Sequence, residues 1–300
     1  MVTKKFIVRN ILLGVFLFCF FNVNAQNINT IGIIQQSNNV YDGYTLFSPM
    51  SQKKTFLLNN NGELLHEWTS ISEPGHTVYL NSDGTLYRTG KIEINTNNNF
   101  VEGLGGGGKV ERYDWDSNLI WEYTYANQTV KHHHDLQVLP NGNVLILAWE
   151  LKTNEEVIQA GRDPSKLESV VLWPDHVIEV EPEGSTGGKI VWEWHVWDHL
   201  VQDFDNTKDN FGVVENSPNL VDVNYFKHDN ADWNHINAMD YDVDKDQIIL
   251  SVWAFGRLMS FGLLTIAPQQ SKQKAIRAVC RVKVETFFTV GETLQLIRKE

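Results

Sequence analysis

Two places in the sequence gather side chains able to move protons or hold an anion: the run His132-His133-His134, and His235 with Asn237 two residues later. Imidazole is the side chain that exchanges a proton near neutral pH, and a carboxamide presents a fixed donor to an oxyanion. A lone histidine more commonly bonds a neighbouring turn. What raises His134, His235 and Asn237 above that reading is their place in a repeat.

Three hairpins recur, each with tryptophan and glutamate near its end. They are residues 56–58 with 64–68, residues 110–113 with 119–123, and residues 177–180 with 190–194. After each comes a histidine and a further strand–turn–strand: His76, then Asp83-Gly84; His134, then Asn141-Gly142; His235, then the acidic turn 242–246. In the first two units the glycine lies eight residues beyond the histidine. Asn-Gly and Asp-Gly turns between alternating hydrophobic strands specify tight hairpins, because glycine accepts the positive φ such turns need. Each hairpin with the strand–turn–strand that follows it makes one expected four-stranded module.

The expected fold class is therefore all-β. Four-stranded modules repeated along a chain make a β-propeller, in which each blade buries its faces against its neighbours; a β-sandwich is the alternative. The innermost strands of a propeller converge on a channel, so His134, His235 and Asn237 would meet there although distant in sequence. The long polar stretch 197–233 reads as an insertion on one face, where functional loops gather.

Other chemistries fit less well. Strand alternation would send His133 away from His132 and His134, and no carboxylate or cysteine stands at ligand spacing, so a metal centre is not expected. The glycine run 105–108 lacks the Ser/Thr of a phosphate-binding loop and leads into a strand. Asp240, Asp242, Asp244 and Asp246 alternate like a calcium loop without its glycine or terminal glutamate. Cys280 has no evident catalytic surroundings.

The 300 residues carry 37 acidic against 25 basic side chains, a net charge of −12, which argues against a nucleic-acid partner. Residues 1–25 read as a signal peptide: Lys4, Lys5 and Arg9, an apolar run over 11–21, and Val23-Asn24-Ala25 as the cleavage site. The run is short for a membrane span, and Phe18 before Cys19 does not suit a lipoprotein signal. Export to the periplasm or beyond is expected, with residues 26–252 as the propeller.

Three motifs together resemble the bacterial arylsulfate sulfotransferase family. They are Asp42-Gly43-Tyr44-Thr45-Leu46-Phe47; His133-His134-Asp135 with Leu139-Pro140-Asn141-Gly142-Asn143; and Asp232-Trp233-Asn234-His235-Ile236-Asn237. The likeness covers roughly residues 30 to 252. It implies a six-bladed propeller that moves a sulfuryl group from a phenolic sulfate ester to another phenol through a sulfohistidine, with no nucleotide sulfate donor and no cofactor. By motif, His134 and His235 match the histidines flanking the sulfuryl group and Asn237 the orienting amide, with His133 the substitute for His134.

Beyond Val252 the sequence departs from that pattern. Trp253 stands where the family has an arginine shortly after the strand, no later blade carries the nucleophilic histidine, and 253–300 shows no blade pattern. A shifted reading of codons compatible with residues 263–270 spells Ile-Asp-His-Ser-Thr-Thr-Thr, which is like the family's next strand. Residues 253–300 are therefore expected to be an out-of-frame, poorly packed tail. That leaves about four blades, an exposed edge, low solubility and no turnover. A non-catalytic exported propeller that binds through its insertion is the alternative function.

Overall fold

The computed structural model describes residues 33, 35–92, 99–100, 106–167, 169–225, 231–253, 262–266 and 276–279, the last two segments by their backbone alone. The signal-peptide segment 1–25, Arg257, Cys280 and most of the tail lie outside the described residues.

Antiparallel meanders dominate. β1 (Tyr44–Phe47), β2 (Lys54–Asn59) and β3 (Leu64–Thr69) form a three-stranded sheet. β4 (Pro74–Leu80), β5 (Leu86–Lys91), β6 (Gly108–Tyr113) and β7 (Leu119–Thr124) form a four-stranded one. In the next sheet β8 (Val130–Val138) pairs with β9 (Val144–Glu150). A short ribbon of β10 (Lys152–Thr153) and β11 (Val171–Leu172) interrupts it, and β12 (Asp175–Glu183) and β13 (Gly187–His195) complete it. After β14 (Leu200–Val201) and β15 (Val221–Asp222), which pair in parallel, come β16 (Ile236–Asp242), β17 (Gln247–Val252), β18 (Gly262–Ile266) and β19 (Ile276–Val279).

This order corrects the expected modules by half a unit. A hairpin does not share a sheet with the strand–turn–strand that follows it. Instead the histidine-bearing unit opens each four-stranded sheet, and the next hairpin closes it. Alternating hydrophobicity reveals strands and tight turns, but either phase satisfies it equally.

Between β10 and β11 sits one helical turn and a half, α1 (Asn154–Gln159). Thr153 and Glu156 cap it reciprocally, a box readable in the sequence although no helix was expected there. The tail expectation also changes. β18 pairs in register with β17, Leu250 opposite Leu264, and β19 extends the sheet, so part of 253–300 does carry strand pattern.

Successive sheets pack face to face. Leu57 and Trp68 of the first sheet meet Val78, Leu86 and Tyr113 of the second. The second sheet's Tyr87, Val110 and Trp121 meet Leu136, Ile146 and Ile178 of the third. Val177 and Trp194 join Ile236, Ile248 and Leu250 of the fourth, together with Leu200, Val221 and Val223. The expected insertion is thus partly core. All of β9 is buried because both its faces are covered.

The recurrent tryptophans tie this stack together. Trp68 donates to the Asp114 carbonyl at 3.1 Å and Trp121 to the Gly187 carbonyl at 2.8 Å, each reaching a hairpin turn of the next sheet. At the other end, Asp135 joins the first strands of three sheets. It accepts from the Tyr79 hydroxyl of β4 at 3.0 Å, from its neighbour Leu136 N–H at 2.9 Å and from the Met239 N–H of β16 at 2.8 Å. Asp135→Ala strands two buried donors from different sheets and should cost about 3 kcal/mol in urea unfolding. A loss below about 1 kcal/mol would show that Asp135 does not hold the sheets together.

Candidate functional site

β4, β8 and β16 begin with equivalent distortions. In β4 the register slips between Pro74 and Val78, and in β8 between His132 and Leu136. In each case three residues stand opposite one on the partner strand. These slips put Gly75-His76-Thr77 and His133-His134-Asp135 out of the ladder. β16 carries a one-residue bulge at Asn237. Bulges bend a strand and re-aim its side chains.

The histidines consequently meet. The His76 and His134 rings lie 4.9 Å apart, and His134 and His235 lie 4.9 Å apart at 80°. Both His134 and His235 have φ of 47°, a left-handed conformation uncommon outside glycine. Backbone strain of this kind persists where surrounding structure enforces it. His134 and His235, expected from their motifs, are therefore brought together. Asn237 lies two residues along on the bulge, with its amide oxygen buried and without a hydrogen-bond partner among the described residues.

His133 corrects the expected alternation. The slip in β8 turns it so that its Nδ1 lies 2.9 Å from His134 Nδ1, while Nε2 is 2.6 Å from Asp175 Oδ1. Its ring stacks on Trp149 at 4.0 Å. His133 thus lies between His134 and Asp175 within the same cluster. On the other side His235 Nδ1 lies 2.5 Å from Asp232 Oδ2, and Asp232 Oδ1 accepts from the Trp149 indole at 3.1 Å. Sequence reasoning missed His76, Asp175, Asp232 and Trp149 as parts of the cluster. The repeat position could have supplied His76 and the third motif Asp232, which stands three residues before His235; Asp175 and Trp149 are legible only in three dimensions.

Gly106 to Gly108 are not a free loop. Gly106 bridges to His133, Gly108 N–H donates to His132 Nδ1 at 3.2 Å, and a Cβ at Gly107 would sit 2.5 Å from that nitrogen. Glycine is needed for this approach to a buried ring. The ring of Trp253, where the resemblance expects an arginine nearby, lies 5.7 Å from the His235 ring, and the Trp253 backbone N–H donates to the His235 carbonyl at 3.1 Å.

Burial governs the protonation of the cluster. It drives His134 down to about 2, helped by His235, His76 and His132, and holds His133 well below the imidazole range. His132 and His176, buried on the same sheet, fall to about 3. Burial pushes Asp135 up to about 6 and Asp175 well above the carboxylate range, the latter with help from Asp232. His132, His133, His134 and His176 are therefore neutral imidazoles at neutral pH, each with a nitrogen lone pair that needs no prior deprotonation.

The family comparison fits this site. The arylsulfotransferase family matches residues 30–258, well over half of the chain, and the chain belongs to that family. No curated protein matches it. A solved structure of a protein of unknown function from Bacteroides caccae covers 76% of this chain at 11% identity and a TM-score of 0.39. The chain spans only 55% of that protein's length. Among the described residues, no helix is long and apolar enough to cross a membrane.

Stability should carry the mark of these protonation states. A histidine held below its ordinary 6.5 binds fewer protons folded than unfolded, so its contribution is complete above pH 6.5 and is lost as acid approaches the folded value. Asp135 and Asp175 act oppositely: folded, they keep protons that the unfolded chain sheds above about 3.8. In the intervening window four imidazoles (His132, His133, His134 and His176) outweigh two carboxyls. Denaturant midpoints should therefore fall steadily from pH 6.5 towards 4; a flat or rising profile would contradict neutral buried histidines.

Proposed function

We propose that the chain is built on the plan of an exported, nucleotide-independent arylsulfotransferase, a β-propeller of the six-bladed type whose inner strands gather the site. The single observation that carries this is the meeting of His76, His134 and His235, from three successive repeat units, at 4.9 Å steps in a chain of the arylsulfotransferase family.

The chemistry runs in two displacements. A histidine nitrogen attacks the sulfur of an aryl sulfate, the sulfur–oxygen bond breaks, and the aryl oxygen leaves as the phenol, taking a proton that a neighbouring imidazole has first accepted from solvent. An acceptor phenol then gives its proton back, attacks the sulfohistidine and carries the sulfuryl group away. His134 and His235 exchange protons with the phenolic oxygens, and Asn237 orients the sulfuryl oxygens through its amide.

On this reading the part of the chain from about Trp253 departs from the family's reading frame, and with it go the arginine and the nucleophilic histidine. The chain as written then holds an aryl sulfate without turning it over. The nucleotide sequence tests the frame directly, since codons incompatible with the shifted reading would eliminate it.

Activity tests the rest. With 4-nitrophenyl sulfate and phenol, the written chain should release no nitrophenolate above background, and the frame-restored chain should turn over. His235→Ala in the restored chain should lower the rate by roughly 10²–10⁴-fold. Turnover by the written chain would refute the frame departure. A restored chain that is inactive, or indifferent to His235→Ala, would instead favour a non-catalytic exported module binding through residues 197–233.

A further inference from the structure

Asp175, His133 and His134 stand in one line. Asp175 Oδ1 is 2.6 Å from His133 Nε2, and His133 Nδ1 is 2.9 Å from His134 Nδ1. Each of these contacts needs one proton between its two atoms, and the charge on Asp175 sets the side on which it sits. With Asp175 ionised, His133 donates from Nε2 and has only a lone pair at Nδ1. His134 must then donate from its own Nδ1, which leaves His134 Nε2 bare. No hydrogen-bond partner holds that Nε2 among the described residues.

We propose that these three side chains form a proton relay in which His134 is the outer end, His133 the shuttle and Asp175 the terminal acceptor. A proton arriving at His134 Nε2 releases the Nδ1 proton to His133 Nδ1, and His133 releases its Nε2 proton to Asp175 Oδ1. One proton enters and two hops follow. Two neutral imidazoles of inverted tautomer and a neutral carboxylic acid remain.

The surroundings favour that end state over an imidazolium. A positive charge on His134 would face His76 from β4, His132 and His133 from β8, and His235 ahead of β16. One on His133 would also face His176 of β12. Asp175 is fully buried, with Asp232 and Glu150 adding like charge, so neutralising it removes an unfavourable anion. The Ile236 N–H holds its other oxygen at 2.7 Å. The titration behaviour points the same way, for burial raises Asp175 and lowers both histidines. In a serine-protease triad, by contrast, the aspartate stays ionised.

His235 is arranged differently. Its Nδ1 meets Asp232 directly, with no intervening ring, and Asp232 also holds the Trp149 indole. The two imidazoles are thus unequal: His134 reaches its carboxyl through an intervening ring, whereas His235 meets one directly. Asp175 and His133 are positioning residues, since neither is required to touch a substrate. The relay gives the acceptor phenol's proton a destination and to that extent rests on the proposed function, but the tautomers are measurable without substrate, so the two can fail separately.

Nitrogen-15 NMR of the full histidine-labelled chain, in solution or sedimented, reads the tautomers, with His134→Asn assigning the signals. At about pH 8, His134 should be protonated at Nδ1 and His133 at Nε2. On acidification both should invert together, with no imidazolium signal at either. Asp175→Asn keeps an acceptor for His133 Nε2, so its alkaline tautomers should match the parent, yet the paired inversion should disappear and His134 should pass directly to imidazolium. His133→Gln, which cuts the line, should likewise send His134 to imidazolium. A bare Nδ1 on His134 at alkaline pH, imidazolium at either ring in the parent, or inversion surviving in whichever variant folds would overturn the relay.

Discussion

The inner edge of each sheet is an unpaired strand, and the N–H groups it points towards its neighbours must find acceptors. Burying such a donor without a partner costs about 1–3 kcal/mol, and water is excluded where three sheets converge. Carboxylates from adjacent strands solve this. Asp135 takes the Met239 N–H and Asp175 takes the Ile236 N–H, both from β16. The same residues are chemically involved with the histidines. Asp135 follows His134 in the chain, and Asp175 bonds the ring beside it. Joining the sheets and setting the site are one problem with one solution.

That solution requires buried carboxyls at a location already crowded with imidazoles. Neither group is at ease there when charged. Asp135 and Asp175 are pushed up by burial and His133 and His134 are pushed down, so these four groups settle close to neutrality with their protons held in hydrogen bonds. The backbone contributes strain as well. His134 and His235 share φ of 47°, at a cost of roughly 1–2 kcal/mol each relative to an ordinary strand conformation. Two independent sheets reach the same disfavoured value at matching positions. A packing accident would not repeat in that way.

The sequence announces the strands and turns better than their partnership. Gly84 and Gly142 adopt φ of 83° and 87°, as Asp-Gly and Asn-Gly hairpins require, and the spacing of His76 and His134 ahead of them marks true structural equivalents. The phase of the modules is not readable from period-two patterning, since β3 and β4 are neighbours in sequence but belong to different sheets. His133 escaped for a sharper reason. Alternation assumes an unbroken ladder, and the slip between His132 and Leu136 breaks it where the histidines gather. Asp175 carries no local mark at all, because its importance arises from a contact made 42 residues away to His133, while Asp232, three residues from His235 in the third motif, reaches 83 residues back to Trp149.

Trp149 shows why the two arms of the cluster do not move independently. One face of its indole carries the His133 ring at 4.0 Å, and its N–H holds the Asp232 carboxyl that binds His235. The ring is fully buried among Phe100, Trp173 and Ala231. A shift of that indole would displace His133 by stacking and His235 by hydrogen bonding at once. The separation of His134 from His235 is therefore fixed by a rigid aromatic body behind them rather than by the two strained residues themselves. Holding reactive groups at a set spacing before any ligand arrives spares the reorganisation that flexible side chains would need, and only a buried, doubly engaged ring supplies that stiffness here.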